Sequence, residues 1–108
     1  MKADGQVTVR DKPQQHRFEV LVDGEVAGFS AYRREGDAFA FTHTEVDDAF
    51  EGQGLGSQLV GAALNELRRR GVAVLPYCPF VRMYLEKHPE LHDLVPAEER
   101  ERPPMGSP

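Results

Sequence analysis

From Phe18 the chain alternates with a period of two, with Phe18, Val20 and Val22 set against Glu19, Leu21 and Asp23. Asp23-Gly24 is a hairpin dipeptide, and it leads into Val26, Gly28-Phe29, Ala31 and Tyr32. A second turn at Glu35-Gly36-Asp37 precedes Ala38 to Val46, a strand-like run long enough for one bent strand or two short ones. The pattern predicts an antiparallel meander of three or four strands. After Asp47-Asp48, which suit a strand end and turn cap, the period changes. Leu55, Leu59, Ala62, Ala63 and Leu67 recur at spacings of three and four, which predicts a helix with one apolar stripe. Arg68, Arg69 and Arg70 complement the negative end of its dipole, with Glu66 and Arg70 as a surface pair, and Gly71 supplies the left-handed cap. Val72 to Leu75 reads as a short strand with both faces covered. Phe80 to Lys87 reads as a short helix stopped by Pro89.

The ends differ. Met1 to Gln15 is polar with little periodicity, and Pro96 to Pro108 combines prolines with charged residues, so both are expected to be flexible tails around a single domain over residues 16–95. At 108 residues the chain is long enough for a core without staples. Its one cysteine, Cys78, cannot form an internal disulfide, and no apolar run is long enough to span a membrane, so a reducing cytoplasm is the expected location. The formal charge of −5 lies wholly in the first half: residues 1–54 hold 6 basic and 11 acidic side chains, residues 55–108 hold 7 of each. That balance argues against nucleic-acid binding and favours a cationic partner. It leaves the oligomeric state open.

The chemistry concentrates in Glu51-Gly52-Gln53-Gly54-Leu55-Gly56-Ser57, three alternate glycines between a strand and an amphipathic helix. Such a turn lets a ligand approach the backbone and aims the free N–H groups of the first helical turn outward, which favours an anion, above all a phosphate. The alternative is a tight turn that binds nothing. The dinucleotide fingerprint fails, because the sixth position from Gly52 is Ser57 and from Gly54 is Leu59. The triphosphate loop also fails, since no lysine follows Gly56.

The family pattern Gln/Arg-x-x-Gly-x-Gly/Ala does match, covering Glu51, Gly54 and Gly56. With "HTEV" at His43 to Val46, "GQGLGSQLV" from Gly52, "PYCPFVRMYLEKHPEL" from Pro76 and the order of strands, glycine loop, helix and apolar strand, the chain resembles the short single-domain group of the GNAT superfamily of N-acyltransferases. The resemblance implies an α/β (α+β) fold with a mixed, mostly antiparallel sheet, a central helix after the glycine loop and a short C-terminal helix. It also implies acetyl-CoA as donor and an amine, on a small molecule or a protein surface, as acceptor, by direct attack in a ternary complex. Val46 would hold the amide-bearing pantetheine arm, and Glu51, Gly52, Gln53, Gly54, Leu55, Gly56 and Ser57 the pyrophosphate. Glu51 departs from the pattern by placing a carboxylate near that dianion, and Gln53 is the residue able to replace the lost contact.

The resemblance places the thioester where the strand before the glycine loop splays from the next one. Cys78, at the end of the second of these strands, is a candidate acyl acceptor or proton relay; the alternative is a small buried hydrophobe. Tyr84 resembles the general acid that the family uses toward the departing thiolate, or else is a core aromatic, and Tyr77 is a weaker competitor. His43 and Glu45, two apart on a strand, share a face as a base and its orienting carboxylate, or as a plain solvated pair. His88 and His92 are four apart, but Pro89 interrupts the helix and no third ligand accompanies them, so no metal site is expected. A CoA-binding module without turnover is the rival reading.

Overall fold

The computed structural model describes residues 6–50 and 52–96. Five strands, β1 (Val7–Lys12), β2 (Arg17–Val22), β3 (Glu25–Glu35), β4 (Ala38–Val46) and β5 (Val74–Pro76), form one sheet in sequence order. The first four pair antiparallel, and β5 lies parallel to β4. Helix α1 (Leu55–Arg70) makes that parallel crossover, and α2 (Pro79–Lys87) with a 3-10 turn (Pro89–Leu94) follows β5. This is the α/β meander, helix, strand and helix that the periodicities predict.

The turn chemistry acts as expected. Asp23 and Gly24 both take positive φ, 52° and 84°, which matches the right-handed twist of the flanking strands and closes the β2–β3 hairpin. The run Ala38 to Val46 is one bent strand rather than two. Its pairing with β3 slips between Ala31 opposite His43 and Tyr32 opposite Phe41, so Thr42 is an extra residue that bends β4.

Met1 to Gln15 is not a tail throughout, which corrects the sequence reading. Val7–Lys12 pairs with β2 from Val7 opposite Val22 to Lys12 opposite Arg17. Val7, Thr8, Val9 and Arg10 do alternate apolar with polar, but the run is short and, at the sheet edge, mostly exposed. The tail expectations for residues 1–5 and 97–108 lie outside the described residues. The strand predicted at Val72–Leu75 also begins later, at Val74. Val72 instead completes the helix end, its N–H donating to Leu67 C=O at 3.0 Å, while the Ala73 carbonyl accepts from the Phe39 N–H at 2.9 Å.

The core lies between one sheet face and the helices. Phe18, Val20, Tyr32, Phe39 and Phe41 meet Leu59, Leu64 and Leu67 of α1, while Val81 and Leu85 of α2 close the end. Ala62 is exposed, so the stripe of α1 runs through Leu64 instead. Helix α2 lies directly on α1: a Cβ at Gly61 would stand 2.5 Å from the Tyr84 hydroxyl oxygen, and one at Gly56 would stand 2.7 Å from the Phe80 ring. The opposite sheet face carries no described helix. There the buried Glu19 is held between Arg10 and Arg17 at 2.8 and 2.6 Å. Burial pushes the Glu19 carboxyl up, but the two guanidinium groups outweigh it and hold it below its usual value.

A second network joins the layers. The Tyr32 hydroxyl donates to Asp11 at 2.6 Å, and Asp11 also pairs with Arg70 at 3.0 Å, which in turn reaches Glu66 at 2.9 Å. Burial and the Asp11 carboxylate hold the Tyr32 phenol well above its usual value. Hydrogen bonds from Arg69 and Arg70 bring Glu66 down to about 2.

Two predictions follow from this packing. Gly61→Ala forces a methyl group against Tyr84 and is expected to cost about 1–3 kcal/mol in chemical denaturation. Glu66 has a folded-state pKa depressed from 4.5, so its stabilisation is fully present above that value and is lost as pH falls toward about 2. Over that window Glu66→Gln should lose less stability than the parent when denaturation midpoints are compared across a pH series.

Candidate active site

The site grows from one mismatch in strand length. β5 pairs with β4 only at Phe39–Val74, Ala40–Leu75 and Phe41–Pro76. The ladder stops where Thr42 bulges, and β4 runs on to Val46 without a described partner on that edge. The two strands therefore splay, and Pro76, which has no N–H to donate, ends β5 at the fork.

Side chains alternate across this opening. Thr44 points to the helix face, where its Oγ1 lies 2.8 Å from Ser30 Oγ and 3.3 Å from Cys78 Sγ. Ser30 and Cys78 are both buried, so a hydroxyl–hydroxyl–thiol chain crosses the fork. Cys78 precedes α2 as its N-cap, and its carbonyl accepts from the Arg82 N–H at 3.0 Å. His43 and Glu45, on either side of Thr44, point to the bare face. Their Nε2 and Oε1 stand 3.3 Å apart, and both side chains are 62% exposed. Phe29 lies beneath them, with its ring 6.0 Å from His43 and the Arg17 guanidinium 4.6 Å above it.

The structure thus brings Cys78 to Thr44 and His43 to Glu45, on opposite faces of the sheet. It does not bring Tyr84 to Cys78. Tyr84 lies about 9 Å further along α2 at the usual helical rise, packed on Gly61 of α1 and stacked on His88 at 4.0 Å. His88 and His92 are engaged separately, by Glu90 at 3.3 Å and by the Leu85 carbonyl at 2.7 Å. Thr44 and Ser30 were missed from sequence because isolated hydroxyls carry no motif. Only the pairing register of Ser30 with Thr44 gives them meaning.

Val46, at the end of β4, leads to the glycine loop through Asp47, whose carboxylate accepts from the Ala49 N–H at 2.9 Å. Glu51 lies outside the described residues. Gly52 and Gly54 take φ of +84° and +71°, with open space where a side chain would be. Gly54 is the N-cap of α1 and provides no side-chain cap; the first turn, with Leu55, Gly56 and Ser57, holds no acidic residue. Uncapped N–H groups and an unopposed dipole are what a phosphate needs. Gly56 has a second task, since its missing side chain admits the Phe80 ring.

Residues 17–94 match the sequence profile of the family described as GCN5-related N-acetyl-transferase. No curated protein matches the chain significantly. No helix among the described residues is long and apolar enough to cross a membrane.

Ser57→Asp separates a binding loop from a plain turn. A carboxylate in the first turn should stabilise α1 by about 0.3–1 kcal/mol through the dipole while opposing a bound phosphate. The expected result is unchanged or raised thermal stability with weaker CoA binding by calorimetry; unaltered affinity would place the pyrophosphate elsewhere.

Proposed function

The chain belongs to the GCN5-related N-acetyltransferase family, and on that footing we propose that it transfers an acetyl group from acetyl-CoA to a primary amine by direct attack across the fork between β4 and β5. The supporting observation is the two-sidedness of the fork. Thr44 and Cys78 line it on the helix face, shared with the glycine loop, and His43 and Glu45 flank it on the bare face. Donor and acceptor approach from opposite sides. The acidic first half of the chain suits a cationic acceptor, a small molecule or an exposed protein amine, in a cytoplasmic setting.

The open left-handed glycines and the acid-free first turn of α1 fit the pyrophosphate of CoA. Bound acetyl-CoA supplies the thioester carbon under attack and a thiolate leaving group. The remaining work falls to the chain. The free edge of Thr42–Val46 offers N–H and C=O groups to the amide-bearing arm, as a sheet edge does to an added strand. His43 takes the proton of the attacking amine and passes it to solvent, while Glu45 holds the imidazole in orientation. The Cys78 thiol, oriented by Thr44, returns a proton to the departing thiolate and is reprotonated after release. Its burial at 2% exposure favours a relay over a nucleophile. Tyr84, whose ring packs against Gly61 of α1 and stacks on His88, is assigned no role in these transfers.

The test is thiol release from acetyl-CoA in the presence of mixed primary amines. Cys78→Ala and His43→Ala should each lower turnover by about 100-fold with CoA affinity retained, and Tyr84→Phe should keep the parent rate. Intact mass of the parent with acetyl-CoA alone should show no acetyl group on Cys78; a stable acetyl-Cys78 would replace direct attack with a covalent route. CoA binding without amine-dependent thiol release would make this a binding module and sink the enzyme reading for the amines tried.

A further inference from the structure

The bare face of the sheet is divided, strand by strand, into three strips of different chemistry. The pairing register sets His43 opposite Ala31, Ala31 opposite Arg17 and Arg17 opposite Lys12, and the next row runs Glu45, Phe29, Glu19 and Arg10. The β4 margin is therefore acidic beside the candidate base. A hollow of about 180 Å³ there has Glu45 and Asp47 as the charged groups of its described lining. β3 contributes Phe29 and Ala31, both half-buried, as an apolar middle, and Arg33 further along it is paired with Glu35. β2 and β1 contribute cations.

The cationic strip is fixed in place. Glu19, 2% exposed, accepts from Arg10 on one oxygen and from Arg17 on the other, so Arg10, Lys12 and Arg17 stand against one carboxylate that is withdrawn from solvent. Each guanidinium spends its Nε and Nη2 on Glu19, and its Nη1 has no partner among the described residues. A positioned guanidinium with free N–H groups suits a second carboxylate. Arg17 lies 4.6 Å over the Phe29 ring and His43 lies 6.0 Å from the same ring, so the two stand no farther apart than those distances together. That span fits a short methylene chain.

We propose that the acceptor is an ω-amino acid, with its amine at His43 and Glu45, its methylene chain across Ala31 and Phe29, and its carboxylate on Arg17 with support from Arg10. The proposal rests on the acyltransferase reading of the fork and names the acceptor class for it. Both poles of the face are then matched, the ammonium by the carboxylates of the β4 margin and the carboxylate by the arginines. A diamine sets its second ammonium against Arg17. A plain alkylamine leaves the guanidinium without a partner.

The experiment compares kcat/KM, by thiol release from acetyl-CoA, for 5-aminopentanoate, pentylamine and 1,5-diaminopentane, which share one amine and one chain length. On the scale of a half-exposed ion pair, the parent should prefer 5-aminopentanoate to pentylamine by about fivefold, with the diamine slowest. Arg17→Gln should bring that ratio to about one, and Arg17→Lys should keep part of it. Arg10 is 48% exposed, so Arg10→Gln leaves Arg17 on Glu19 and tests the strip even where loss of Arg17 unsettles the fold. It should lower the ratio by about twofold. Equal rates on the three acceptors, fastest turnover of the diamine, or a ratio that Arg17→Gln and Arg10→Gln leave unchanged would overturn the assignment and leave the acyltransferase reading intact. Thiol release with other amines but with none of these three would do the same. No release with any amine would remove that reading and the acceptor assignment with it.

Discussion

The site exists because β4 and β5 pair over three residues and then part. Parallel pairing requires a crossover, and α1 supplies it, which brings the N-terminus of α1 to the same end of the sheet as the fork. One topological fact thereby places a free strand edge, a helix N-terminus and the start of α2 together. Thr42 reinforces it, because a bulge next to the last paired residue turns the rest of β4 away from any continuation of the ladder. Pro76 prevents β5 from following.

The two faces of the sheet then take different tasks. The helix face is apolar and closed, with Phe18, Phe39 and Phe41 under α1 and the Ser30–Thr44–Cys78 chain as its polar inclusion. Every hydroxyl and thiol in that chain has a partner, which is the condition for keeping polar groups in a core. The bare face is solvated and carries His43, Glu45 and the Arg10–Glu19–Arg17 cluster. Titratable side chains meet water there, while the Cys78 thiol on the other side is buried.

Much of this was legible in the sequence. The change of period after Asp48, the Asp23-Gly24 turn and the Gly71 stop located the second to fourth strands and the helix, because each rests on local geometry. β1 was overlooked: Val7-Thr8-Val9-Arg10 does alternate, but only two apolar residues mark it, and at the sheet edge none of its residues is fully buried. Ala62 was misplaced on the core stripe, since alanine is small enough to satisfy either face. The glycine turn before the helix was visible in composition, but the need for glycine at position 56 comes from the Phe80 ring, a contact made across two helices. The fork itself was beyond reach, because it depends on which residues of β4 lack a partner. Tyr84 drew attention by its resemblance to a family acid; its ring packs on Gly61 of α1 and stacks on His88.

In the proposed reading the donor lies along Gly52 to Ser57 and the free edge of Thr42 to Val46, on the helix side of the fork. Backbone amide NMR during titration with CoA tests it directly. The largest shifts are expected in those two segments and beside Cys78, with Glu19 and Arg10 on the bare face unmoved. Shifts confined to the bare face, or absent from the glycine loop at saturating CoA, would contradict it.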